Sequence, residues 1–348
     1  MNPPRTPINL TGRLSRALSA LDGLRSSQGL PALRLPSLPK MPLHMPGLRM
    51  PNLGRRQPQR PETPLPAGAR FLSETFAGPT GRLDYRLYIP ATAPSGQALP
   101  LLVMLHGCTQ TPEDFAAGTR MNALAEAGPF LVAWPEQTQA ANAQRCWNWF
   151  NPEDQGRDRG EPALIAGMVR QVTAQHPVDP RRVHVAGLSA GGAAAAIMGE
   201  AYPELFAAIG VHSGLACGAA RDLGSALSAM RRGGAAGERV GRRVPTIVFH
   251  ADRDSTVHPV NGDQVIARAG AEGLHATTER GEVPGGHGFT CIRHTDAAGR
   301  VLLEQWLVHG GGHAWSGGDA AGSYTDPSGP DASRAMLHFF AQHSLAEG

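Results

Sequence analysis

Residues 181–203 read RRVHVAGLSAGGAAAAIMGEAYP. Val183 and Val185 alternate with His184, the period of a short strand. The alanine-rich run to Ala201 has high helix propensity. Between the two lies Gly187-Leu188-Ser189-Ala190-Gly191, a G-x-S-x-G box at a strand-to-helix turn. A serine at such a tip adopts strained backbone angles, and glycines on either side keep Cβ atoms out of the way so that the turn closes. The Ser189 oxygen then stands clear of the sheet. The Ala190 N–H, at the helix N-terminus, points to where an oxyanion would form. The G-x-G-x-x-G spacing of a dinucleotide site is absent.

On either side of this stretch, strands alternate with helices. Residues 70–76 and 82–89 pattern as two strands around Gly78-Pro79-Thr80-Gly81. Residues 99–105 form a near-continuous apolar run, the mark of a strand buried on both faces. A helix is predicted over 112–127, a strand over 130–133 and a helix over 161–176. After the serine come strands at 206–211 and 246–250, with helices at 223–231 and 263–271. A hairpin of 291–294 with 301–308 and a closing helix over 331–343 complete the body. This alternation predicts a mostly parallel α/β sheet flanked by helices. Residues 137–160 and 218–241 are largely irregular and are the candidate lid segments.

A serine hydroxyl is a weak nucleophile at neutral pH. It needs a histidine base, and the histidine needs a carboxylate to hold its tautomer. On such a sheet the chain order is Ser, acid, His, each just beyond a strand. Two acids follow the strand at 246–250. Asp252 suits a turn cap, whereas Asp254 lies deeper in the loop and can reach back over the sheet edge. For the base, His313 follows the strand at 301–308 within Gly310-Gly311-Gly312-His313. His287 has no comparable strand before it, and His309 sits too close to the strand end. A second oxyanion donor belongs in the loop after 99–105, His106-Gly107-Cys108-Thr109-Gln110, with the Cys108 and Thr109 amides as candidates. Cys108 as a nucleophile is the alternative, but no helix elbow presents it.

The net charge of +3 conceals an uneven distribution. Residues 1–66 carry ten Lys/Arg against Asp22 and Glu62, a net of +8, which leaves −5 on the remainder. This tail, taken as 1–66, is rich in Pro, Leu and Met and is expected to be extended, with a short amphipathic helix where Leu10, Leu14, Leu18, Leu21 and Leu24 recur. The catalytic domain is assigned to 67–348. No secretory leader pattern opens the sequence and no run reaches membrane-spanning length. Four scattered cysteines (Cys108, Cys146, Cys217, Cys291) lack C-x-x-C spacing. They fit a reduced, cytoplasmic protein, with one or two bridges as the alternative for an exported enzyme.

The ordered set LHGCTQ (105–110), CWNWF (146–150) followed by NPEDQGRDRGEP, GLSAGG (187–192), HADRDSTV (250–257) and GGGHAWSGG (310–318) resembles the polyhydroxybutyrate depolymerase family of α/β-hydrolase esterases. The likeness runs from about Phe71 to Phe340. It implies the α/β-hydrolase fold and a triad of Ser189, Asp254 and His313. It also implies an oxyanion hole at the His106–Cys108 loop, with no organic cofactor and no metal. The family also holds feruloyl and acetyl esterases, so the reaction type is better specified than the substrate. Trp147, Trp149 and Trp315 are the candidate substrate contacts, with core packing as the alternative for the first two. The expected partner is a polyester or small ester, not a nucleic acid. The tail is a candidate anchor to an intracellular polyester granule. The rivals are a serine peptidase on the same fold, which would need a pocket for one side-chain type, and a non-catalytic granule-surface protein, which need not keep all three triad residues.

Overall fold

The computed structural model describes residues 65–234, 237 and 241–346. The basic tail up to residue 64, with the amphipathic helix and granule anchor expected of it, lies outside these residues.

The strands are β1 (Arg70–Gly78), β2 (Gly81–Ile89), β3 (Leu99–Leu105), β4 (Leu131–Pro135), β5 (Val178–Leu188), β6 (Ala208–His212), β7 (Thr246–Ala251), β8 (His275–Glu282), β9 (Gly288–Thr295) and β10 (Val301–His309). They form one sheet in the order β1-β2-β4-β3-β5-β6-β7-β10-β9-β8. The six central strands from β4 to β10 are mutually parallel, and an antiparallel pair extends each side. β5, which carries the serine box at its end, lies at the centre. β3, β4, β6 and β7 are buried almost throughout, as their apolar runs require when helices cover both faces.

The helices are α1 (Pro112–Thr119), α2 (Met121–Ala127), α3 (Gly160–Gln175), α4 (Ala190–Ala201), α5 (Leu223–Arg232), α6 (Val260–Arg268) and α7 (Ala332–Phe340). Two features depart from the expected elements. The single helix over 112–127 is broken at Arg120, whose φ of 57° turns the chain and whose guanidinium bonds Gly317 O and Asp331. β8, HATTERGE, has no apolar face to mark it, because as an edge strand it is solvated on both sides. A small two-stranded ribbon, β11 (Trp315–Ser316) with β12 (Thr325–Asp326), completes the described structure. Among the described residues no helix is long and apolar enough to cross a membrane.

Candidate active site

The elbow is built by close backbone contact. Ser189 sits between β5 and α4 at φ 57°, ψ −118°, a conformation disfavoured for any side chain with a Cβ. Its N–H donates to His212 O at 2.8 Å, pinning it to the end of β6. A Cβ on Gly191 would lie 2.0 Å from Leu105 O, and one on Gly187 would lie 2.3 Å from Gly191 O. Only glycine lets α4 seat this closely on β3 and β5. Ser189 occupies the N-cap of α4 yet makes no side-chain cap. A capping bond is worth about 1 kcal/mol. Forgoing it leaves Oγ unbound to the first turn of α4.

Asp254 lies three residues past β7, buried. Its Oδ1 accepts the N–H groups of Thr256 (2.9 Å) and Val257 (2.8 Å), which fixes the carboxylate plane. Its Oδ2 accepts from Nδ1 of His313 at 2.7 Å. Burial alone would raise this carboxyl, but the His313 bond and charge, the Val257 amide and nearby His250 together hold it below its ordinary value. Asp252 is engaged elsewhere, accepting from Gly310 N and facing His309 Nδ1 at 3.1 Å. His287 pairs with Asp326 at 2.9 Å. The structure therefore brings Asp254 to His313, and gives each rival its own partner.

On the oxyanion side, the N–H groups of Cys108 and Ala190 have no acceptor among the described residues. The Thr109 amide is different: it donates to Gln144 O at 2.6 Å and is unavailable to an oxyanion. This corrects its place among the donors. The cysteine expectation is also corrected, because Cys108 and Cys146 form a disulfide, while Cys217 and Cys291 are free and buried. Cysteine usage therefore does not favour a reducing compartment.

The three tryptophans are corrected as well. Trp147 is 1% exposed, Trp149 6% and Trp315 1%. Trp147 Nε1 donates to His106 O at 3.1 Å, and Trp315 Nε1 donates to Ser333 Oγ at 3.0 Å. All three are framework residues.

Several side chains to which sequence reasoning gave no role organise the site. Buried His106 donates from Nδ1 to Gly107 O at 2.8 Å and accepts Gln137 N–H at Nε2. Buried His212 accepts Ser316 N–H at Nε2, 2.9 Å, so its proton is on Nδ1 beside Ser213 Oγ. It also stacks between Phe249 and Trp315. Burial lowers His106 to about 4 and His212 to about 3, so both stay neutral and keep these tautomers. Glu161 accepts from the backbone and side chain of Asn148 and from Gln137 Nε2. Burial and Asp154 push it up to about 7. It clamps residues 137–148, the segment that carries Cys146, so this stretch is a fixed brace for the loop that holds Cys108. The one local signal was position: His106 and His212 stand at or just past the C-terminal ends of β3 and β6. Among the described residues no group of three or more His, Cys, Asp or Glu is arranged to hold a metal ion.

The family model described as esterase PHB depolymerase matches residues 83–270, more than half of the chain. The chain belongs to this family. The match takes in Cys108, Ser189 and Asp254, and His313 lies beyond it. The chain is 32% identical to poly(3-hydroxyalkanoate) depolymerase C of Paucimonas lemoignei over 253 residues, 68% of this chain and 60% of that one. It is 27% identical to a poly(3-hydroxybutyrate) depolymerase of Ralstonia pickettii over 308 residues, 81% of this chain and 62% of that one. It thus spans about three fifths of the length of these two relatives. Feruloyl esterase B of Thermothelomyces thermophilus is 27% identical over 242 residues, 64% of this chain and 81% of that one. Among solved structures, an acetyl xylan esterase from Aspergillus awamori superposes with a TM-score of 0.60 at 20% identity, covering 79% of this chain and 99% of that one. That likeness supports the α/β-hydrolase fold.

Proposed function

We propose that the chain is a serine carboxylic-ester hydrolase that acts through an acyl-enzyme on poly(3-hydroxybutyrate) or its oligomers. The observation that carries this reading is the Asp254–His313 pair standing beyond neighbouring strands β7 and β10, with an uncapped, strained Ser189 at the end of central β5.

His313 holds its Nδ1 proton on Asp254, which leaves Nε2 to accept the Ser189 proton. The serine Oγ bonds to the ester carbonyl carbon, and the carbonyl oxygen becomes the oxyanion. The Cys108 and Ala190 amides stabilise that charge without reorganising, since neither has another acceptor among the described residues. His313 then delivers its proton to the departing alkoxide, and the acyl group remains on Ser189. Water repeats the sequence, releasing the acid and restoring the hydroxyl. The polyester assignment draws on the two depolymerase relatives, and attachment to a granule surface through residues 1–66 is the accompanying proposal for the tail.

The test is hydrolysis of p-nitrophenyl butyrate, soluble 3-hydroxybutyrate oligomers, amorphous poly(3-hydroxybutyrate) and methyl ferulate by purified protein beside Ser189→Ala. The expected result is cleavage of the first three, abolished in the variant. Cleavage of methyl ferulate without the oligomers would overturn the polyester assignment. Wild-type rates in Ser189→Ala would overturn the mechanism.

A further inference from the structure

With the three indoles buried, the aromatic surface open to an ester must come from elsewhere. Among the described residues Tyr324 is the exposed aromatic side chain, at 46%. It lies where the two halves of the site meet. Its hydroxyl is 3.2 Å from Thr109 Oγ1, next to the Cys108 amide. Thr109 spends its own hydroxyl proton on Cys108 O at 2.6 Å, so the Tyr324 hydroxyl is the donor. Its carbonyl accepts Trp315 N–H at 2.7 Å, two residues past His313. Gln110 and Asp114 hold the preceding residue, Ser323. The ring is therefore tethered at its tip and at its backbone, between the oxyanion loop and the base loop.

A second observation is the backbone. Tyr324 has φ 51°, a region where a bulky residue costs energy and where glycine or asparagine would sit without that cost. A large ring held there, facing solvent, gains nothing from core burial.

We propose that Tyr324 is a specificity-determining residue whose ring face binds the apolar repeat unit flanking the scissile ester. This rests on the serine-hydrolase reading above and adds the contact that separates a chain of linked esters from a small acetate. An aromatic face suits such a unit because it offers apolar area at little cost in side-chain entropy.

The experiment compares Tyr324→Ala and Tyr324→Phe with wild type on a linear 3-hydroxybutyrate trimer and on p-nitrophenyl acetate. For Tyr324→Ala, KM for the trimer should rise about tenfold with kcat within about twofold, while kcat/KM for the acetate falls no more than about threefold. Tyr324→Phe keeps the ring and should stay within about threefold on the trimer. Equal losses of kcat on both substrates would overturn the proposal, since that marks a part of the oxyanion loop's support. Unchanged trimer KM in Tyr324→Ala, or a Tyr324→Phe defect as large as that of Tyr324→Ala, would overturn it too. If wild type cleaves neither ester, the hydrolase reading itself fails and this inference goes with it.

Discussion

Replacing both Cys108 and Cys146 with alanine opens a bridge spanning 38 residues of chain. In the chain-entropy account, a closed loop of that length restricts the unfolded ensemble by about 4 kcal/mol. For a body of about 280 residues, unfolding entropy near 2.1 cal/mol/K per residue converts this to a fall in Tm of roughly 7 °C. The chemistry should suffer separately. The bridge ties the Cys108 amide to a segment anchored by Glu161, and alanine keeps the N–H while removing the tie. Two holds survive, Thr109 N–H on Gln144 O and Trp147 Nε1 on His106 O. The amide therefore stays near its place but loses its fixed aim. Outright loss of an oxyanion donor costs about 10²–10³ in kcat, so a loosened one should cost about tenfold, with KM little changed. Calorimetry and p-nitrophenyl butyrate kinetics read the two effects. A lower Tm with unchanged kcat would refute the positioning argument. No change in either would refute the bridge.

Two further outcomes follow from packing and charge. Gly191→Ala places a Cβ 2.0 Å from Leu105 O, so it should cost at least about 3 kcal/mol by urea melt. Gly312→Ala meets nothing within 4 Å and should be nearly silent on stability, and equal losses would refute the close-approach reading. Buried His106, His184 and His212 have folded-state values of about 4, 4 and 3, below the ordinary 6.5. The unfolded chain thus takes up protons first as pH falls through 6.5. Each histidine then removes about 1.4 kcal/mol of stability per pH unit down to about pH 4. Glu161, raised to about 7, acts in the opposite sense over the same range and offsets one of the three. Urea midpoints should decline clearly from pH 6.5 to pH 5, and a flat profile would refute the neutral-histidine assignment.

The elbow was legible because its determinants are local: a strand, two glycines and an alanine-rich helix within about 20 residues. Asp254 and His313 could be ordered along the chain because each follows an apolar strand. The indoles were misjudged because composition says that a segment is apolar, not which way it faces, and Trp147 and Trp315 turn inward to donate to His106 O and Ser333 Oγ. Thr109 could not be separated from Cys108 by sequence, since only the arrival of Gln144 O removes its amide. The break falls on Arg120, which is neither proline nor glycine, and the groups its guanidinium bonds lie about 200 residues away at Gly317 and Asp331. His212 acts through Ser316, 104 residues further on, which local pattern does not contain.

The tether between Ser323 and the Gln110–Asp114 stretch joins parts of the chain more than 200 residues apart. Loop closure over such a span is entropically costly and comes late. The elbow can assemble once β3, β5 and β6 have paired, but the loop that holds His313 meets the loop that holds Cys108 only when the C-terminal segment docks on α1. With the triad proposed above, order of assembly becomes a safeguard: a partly folded or partly synthesised chain would hold a shaped nucleophile without its base, and would be chemically silent until its last segment closes.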